Sequence, residues 1–284
     1  MNNYGLKINK LTVKLNGFTL NEIDFELPKG TILGIVGRNG AGKTTLIRSI
    51  CGLYEYQSGE VFVNGYSRFS QEKQYLSQMK VMEDDGILNV FLKPKKINKF
   101  LKKSFPEFDE QFFLENLNNF GINLKRRLHK MSKGEQKKIN ILTVMSLNPD
   151  VLILDEPTAN IDPISKREVI SLLQDYLTEN KTIIYSSNQT EELDKIADYV
   201  LFLENGNMLL YDTKDNLFDS HFIIAVTEKE FKELWEKEFI GYQKNHFGYE
   251  GIVKNKNLID KYNLTYKLPS IEEIMYYYVK GTRQ

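Results

Sequence analysis

The 284-residue chain carries 38 Lys+Arg against 38 Asp+Glu, and a formal net charge of +0 excludes a protein whose main task is coating nucleic-acid phosphates, which takes a basic surplus. Hydrophobic residues at 41% beside charged residues at 27% exclude a disordered chain and predict a packed core. A single cysteine, Cys51, excludes an internal disulfide, no apolar run reaches the ~20 residues that cross a bilayer, and the first ten residues lack a signal-peptide centre, so a cytoplasmic location is expected.

Taken in chain order, short β-type runs alternate with longer helical patterns through about residue 210, which predicts an α/β fold with a largely parallel sheet. Residues 7–15, 21–27 and 60–63 alternate apolar with polar and predict an antiparallel part of the sheet. Residues 31–36, 151–154 and 182–185 are nearly continuous in apolar side chains, as strands covered on both faces are. A helix is predicted from Thr44 to Ile50. Between Gln78 and Pro149 the chain turns rich in Phe, Lys and Leu with few strand signals, which predicts a helical subdomain over about 79–149. Phe105, Phe108, Phe112, Leu117 and Phe120 form a helix-spaced stripe read as core packing. The six lysines of residues 93–103 read as a solvated face, with acidic lipid headgroups or a partner as the sharper alternative. Residues 199–203 and 208–211 flank Glu204-Asn205-Gly206-Asn207 and predict a hairpin. The chain divides into 1–218 and a small extension over 219–284, whose Ser270-Ile271-Glu272-Glu273 has the spacing of a capping box opening a last helix that docks on its own chain.

Gly37-Arg38-Asn39-Gly40-Ala41-Gly42-Lys43-Thr44-Thr45 satisfies G-x-x-x-x-G-K-[ST] between a predicted strand and a predicted helix. The glycines let the backbone curl into a nest of N–H donors, and the helix N-terminus adds its positive end to the same anion. Lys43 is expected on the β- and γ-phosphates and the Thr44 hydroxyl on Mg²⁺. The strand ending in Asp155-Glu156 delivers two carboxylates to the sheet edge where ligands of open α/β sheets collect. Successive strand residues point opposite ways, so while both remain extended the two should not share a role. Asp155 is expected on the Mg²⁺ side and Glu156 on the attacking water.

Met131-Ser132-Lys133-Gly134-Glu135-Gln136 before a helical pattern resembles the signature loop of ABC-type ATPases, and Asp155-Glu156-Pro157-Thr158-Ala159-Asn160-Ile161-Asp162 resembles that family's acidic motif running into its D-loop. Gln78 matches the Q-loop glutamine and Ser186-Ser187 the switch region, so the resemblance spans roughly residues 5–215 in the family's motif order. It implies a P-loop NTPase of the ABC type: a mixed sheet with an antiparallel part, a helical subdomain and here a small C-terminal extension. It implies ATP and Mg²⁺ as ligands, Gln78 as a sensor of Mg²⁺ and γ-phosphate, and a head-to-tail dimer in which Ser132 and Gly134 touch the nucleotide of a second ATP-binding subunit, identical or different. It further implies a transmembrane permease partner, a place on the cytoplasmic face of the membrane, and no nucleic acid. The variant signature and the 269–275 tail are most similar to ATPases of bacterial antibiotic or peptide exporters.

Three positions depart from the family pattern, the first being Lys133 in the signature, where a glycine is common. Asn188 stands where a histidine is usual, which leaves a hydrogen-bond donor but no imidazolium charge, so slow hydrolysis dependent on Glu156 is expected. The adenine-stacking aromatic is not at its usual place, which falls near Leu15; Phe18 is the substitute, with a plain surface or core role equally open. The competing functions are a soluble ABC-type ATPase acting on ribosomes or DNA, and a regulatory module locked on ATP by Asn188.

Overall fold

Apolar strands covered on both sides have to lie in the middle of a sheet, and the three continuous runs do so. A computed structural model describes residues 3–281, apart from the side chains of Leu234 and Trp235. Ten strands form the main sheet: β1 (Tyr4–Leu15), β2 (Phe18–Pro28), β3 (Ile32–Val36), β4 (Ser58–Val63), β5 (Tyr66–Ser67), β6 (Met79–Met82), β7 (Val151–Asp155), β8 (Thr182–Ser187), β9 (Tyr199–Glu204) and β10 (Asn207–Thr213). Their order is β5-β4-β1-β2-β10-β9-β3-β8-β7-β6. β3, β7 and β8 are buried at every residue and pair in parallel. β1 pairs antiparallel with β2 and β4, as the alternating runs predicted, and β2 joins this half to the rest of the sheet with Asn21 opposite Asn207 of β10. The β9–β10 hairpin also forms as predicted.

Period-2 alternation sends neighbouring strand residues to opposite layers. On one face Leu33, Ile35, Val151 and Ile153 pack with Leu46 and Ile50 of α1 (Lys43–Ile50) and with the antiparallel strands. On the other, Val36, Leu152, Leu154 and Tyr185 pack against longer helices. In chain order these follow α2 (Glu72–Ser77): α3 (Pro94–Ser104), α4 (Glu110–Asn119), α5 (Lys133–Met145), α6 (Pro163–Tyr176) and α7 (Thr190–Ile196).

Residues 78–149 correct the sequence reading twice. Met79–Met82 is not part of the helical region but the edge strand β6, in register with β7 from Met79 opposite Val151 to Met82 opposite Leu154. The phenylalanine stripe is not one helix: α3 stops at Phe105, extended because Pro106 follows, and Phe108 lies in the turn, edge-on to the fully buried Phe113 at 5.7 Å. On α3, Lys95, Lys96, Lys99, Lys102 and Lys103 are exposed, away from the buried Pro94, Ile97 and Leu101.

After α8 (Lys214–Ser220) a second, antiparallel sheet forms from β11 (Phe222–Val226), β12 (Gly241–Asn245), β13 (Gly248–Val253) and β14 (Tyr266–Lys267), ordered β12-β13-β11-β14. It has its own apolar cluster, including Phe222, Ile224, Phe231, Phe239 and Val253. The last helix, Ile271–Gly281, opens with the predicted capping box: Ser270 N–H donates to Glu273 Oε2 at 2.9 Å and Glu273 N–H to Ser270 Oγ at 3.2 Å. Its Ile271, Ile274 and Tyr277 join the core of the ATPase-like body.

Candidate functional site

β3 ends at Val36 and the chain must double back to start α1 at Lys43. Gly42 makes that possible, with φ at +113 and a position where a Cβ would lie 2.8 Å from Phe18 Cζ and 2.9 Å from Leu20 Cδ2. Above the loop lies a cleft of about 660 Å³, lined by Arg38, Asn39, Gly40, Gly42, Lys43, Thr44 and Thr45 from the loop, with Phe18, Asp84, Glu156, Ala159, Asn160 and Asn188 around it. Gly37 and Ala41 lie beneath: the Gly37 carbonyl accepts from Lys43 Nζ at 2.9 Å, and the Ala41 carbonyl from the Gly206 N–H of the β9–β10 turn at 2.9 Å. Backbone donors and the N-terminus of α1 therefore face one space, an anion site by construction.

The acidic pair closes the far wall. Asp155, the last residue of β7, is buried and accepts from Thr44 Oγ1 at 2.8 Å and from the Ser186 hydroxyl. Glu156 then leaves the strand in the left-handed region at φ +48, and this turn brings its carboxylate to the same side as Asp155. Alternation predicts divergence for two extended residues, and the left-handed residue is how the chain escapes it. Glu156 N–H donates to Ser186 Oγ at 3.0 Å, its Oε1 pairs with Lys43 Nζ at 3.2 Å, and its Oε2 accepts from the Asn188 N–H at 3.3 Å. Burial pushes the Glu156 carboxyl above the ordinary glutamate value, against the opposing pull of Lys43.

The donor set beside the loop suits a shared Mg²⁺. One hydroxyl and one carboxylate, Thr44 and Asp155, already touch and stand beside the phosphate loop. Mg²⁺ held with substrate phosphates takes only one or two protein oxygens and keeps several waters. No group of three or more His, Cys, Asp or Glu forms a metal cage among the described residues. The residues fit an ion shared with phosphate and do not fit a self-sufficient protein cage.

Most of the sequence-predicted residues come together here, including Asn188 and Phe18. Gln78 does not. It precedes β6, at the N-terminal edge of the parallel strands, where its Oε1 accepts from Asn64 Nδ2 at 3.1 Å and its carbonyl from the Asp150 and Val151 N–H groups. The cleft lies at the C-terminal edge of those strands, so Gln78 is a full strand length from it and cannot sense Mg²⁺ or γ-phosphate there. At the cleft end of β6 the chain instead continues into Glu83, whose Oε2 pairs with Arg48 Nη2 of α1 at 2.9 Å, and Asp84, which lines the cleft. Reading Met79–Met82 as a strand would have pointed to Glu83.

Ser132 and Gly134 do not line their own chain's cleft. Ser132 caps α5 in a reciprocal box with Glu135, its N–H donating to Glu135 Oε2 at 2.7 Å, and is exposed. Gly134 is buried against α6, where a Cβ would stand 2.5 Å from Ser165 Oγ. Ser186, read from the sequence as part of the switch region, reaches Asp155 and Glu156, whereas Lys137, which reaches Asp84 and Glu156, was missed because nothing in its local sequence marks it.

Known proteins share this architecture. The sequence profile of the ABC transporter family matches residues 20–159. An uncharacterised ABC transporter ATP-binding protein of Methanocaldococcus jannaschii is 32% identical over 194 residues, covering 68% of this chain and 71% of that one. A xylose import ATP-binding protein of Thermoanaerobacter pseudethanolicus is 24% identical over 292 residues, covering 94% of this chain and 56% of its own. Among solved structures, a bacterial Atm1-family ABC exporter with ATP bound superposes with a TM-score of 0.66 at 17% identity, over 77% of this chain and 40% of that one, a likeness of fold.

Proposed function

The chain belongs to the ABC transporter family as an ATP-binding, ATP-hydrolysing subunit, and from that premise we propose that it drives a separate transmembrane permease from the cytoplasmic face of the membrane, working as one half of a head-to-tail dimer. The observation that carries this reading is the convergence of Lys43, Thr44, Asp155 and Glu156 on one cleft.

In that cleft the loop N–H groups and Lys43 bind the triphosphate, and Phe18 at the rim stacks on the adenine. Thr44 and Asp155 would hold Mg²⁺, which would supply charge neutralisation for the phosphates. The Lys43 ammonium is shared between the Gly37 carbonyl and the Glu156 carboxylate, so phosphate oxygens compete with Glu156 for it. Drawn away, it leaves Glu156 in a buried setting that favours proton uptake, the property a base for the attacking water requires. Asn188 reaches Glu156 through its backbone N–H and lines the cleft with a neutral side chain where the family pattern has a histidine, and hydrolysis is correspondingly slow.

Exposure of Ser132 at the N-terminus of α5, away from its own cleft, supports contact with the nucleotide of a second ATP-binding subunit, either a copy of this chain or a different one. The Ser132-Lys133-Gly134-Glu135-Gln136 loop and the 269–275 tail support export of a peptide, antibiotic or other amphipathic compound. Relatives bear both import and export names, so flux in permease-containing vesicles is the measurement of direction.

Glu156→Gln tests the chemistry. Turnover is expected to fall by roughly 10²- to 10⁴-fold, the usual contribution of a positioned base, while ATP still binds and ATP-dependent dimers accumulate. Unchanged turnover in that variant would remove Glu156 from the role of base.

A further inference from the structure

Lys137 lies on α5, one turn beyond the serine that caps it, with its side chain only 14% exposed. Its ammonium donates to the Asp84 carbonyl at 2.6 Å, to Asp84 Oδ1 at 2.9 Å and to the Glu156 carbonyl at 3.1 Å. Three acceptors use all three N–H bonds of the group. They come from two loops, those leaving the C-terminal ends of β6 and β7, and both loops line the cleft.

Glu156 needs such support. A glutamate at φ +48 occupies a sparsely populated region that persists only when its surroundings over-determine it. Its N–H is fixed on Ser186 of β8, and its carbonyl is fixed from the other side by Lys137 together with the Ala159 N–H at 3.2 Å. Strand, D-loop and helix therefore clamp one residue, and the helix supplies the only charged donor of the three.

We propose that Lys137 is a positioning residue that holds Glu156 in its left-handed conformation and ties that conformation to helix α5. The helix whose N-terminus exposes Ser132 then also sets the aim of the carboxylate, so displacing α5 slows hydrolysis without touching the phosphate loop. The inference rests on the reading of Glu156 as the base.

Steady-state hydrolysis and ATP titrations of the full chain carrying Lys137→Met, Lys137→Arg, Glu156→Gln and the Lys137→Met/Glu156→Gln pair test it. Methionine keeps the apolar stem and removes every donor. Turnover is expected to fall about tenfold or more, as charge-assisted hydrogen bonds are lost, with KM and Kd for ATP unchanged within about twofold. Arginine, which still presents several donors, is expected to recover most of the turnover, and the double variant to be no slower than Glu156→Gln alone. Wild-type turnover in Lys137→Met, or a loss matched by an equal loss of ATP affinity that arginine fails to repair, overturns the proposal. Full turnover in Glu156→Gln defeats instead the reading of the base, so the two failures are separable.

Discussion

The nucleotide cleft and the C-terminal module over 222–281 handle polar groups in opposite ways. Around the cleft, cations on helices are pressed against acids on the loops after β6 and β7: Lys43 with Glu156, Arg48 with Glu83, Lys137 with Asp84. The backbone there takes left-handed conformations at Gly40, Gly42, Glu156 and Asn160. The module is built from stacked rings instead, Phe231 lying 3.8 Å from Tyr249 and 4.7 Å from Tyr242. Between the module and the larger body sits one buried imidazole, His221. Its Nδ1 donates to the Leu217 carbonyl at 2.9 Å, so its Nε2 accepts from the Tyr278 hydroxyl at 2.9 Å. Desolvation holds that imidazole down at about 4, with Lys254 adding to the effect. One region keeps strained, partly desolvated charge against a rigid sheet, and the other maximises packing. Damage in the first should appear as lost chemistry, and in the second as lost stability.

The largest expected effect falls on the packing side. Ile274→Ala empties a fully buried site beneath the last helix and should destabilise the chain by about 2–5 kcal/mol in denaturant unfolding. Hydrolysis per folded molecule should stay near wild type; an equal fall in turnover would erase the distinction between the regions.

On the cleft side, Lys43→Met removes a buried ammonium and its charge-assisted bonds. ATP affinity should weaken by about ten- to a hundredfold with little change in unfolding midpoint. Calorimetric titration gives the first number and a thermal scan the second.

The imidazole sharpens the contrast through pH. The unfolded chain takes up a proton near 6.5, while folded His221 resists until about 4. Its contribution is therefore full above pH 6.5 and is lost as pH falls through that interval. Unfolding midpoints of wild type and His221→Gln should differ most at pH 7.5 and converge toward pH 4, whereas a constant difference would deny the imidazole this role.

The smallest effect is expected for Gln78→Ala. With its carboxamide on Asn64 at the wrong edge of the sheet, turnover should change by less than about twofold, as for a surface substitution worth within ~0.5 kcal/mol. A large fall would return Gln78 to the cleft.

Gln78 and Glu83 show where the sequence could be read and where it could not. The phosphate loop occupies nine consecutive residues whose chemistry is local, so Lys43, Thr44 and the turn glycines were legible before any contact was known. Asp155 and Glu156 were legible as a pair at a strand end, but their shared orientation depends on one left-handed residue that Ser186 and Lys137 hold from strands and helices far along the chain. β6 was missed because four residues carry too little periodicity, and its partner β7 begins at Val151, far from Met79 in sequence. The four strands after Phe222 escaped for a related reason: their partners and their aromatic core are fixed by pairing across the module.

By itself the sequence determined the class of chemistry, because the glycine-rich loop with its lysine, and the carboxylate pair, each act through residues adjacent in the chain. Tertiary structure alone decided which acidic residue follows β6 into the cleft, how Glu156 turns toward Lys43, and how the last helix seals the core. Each of these depends on hydrogen bonds and apolar contacts between segments that only the packed sheet brings within reach.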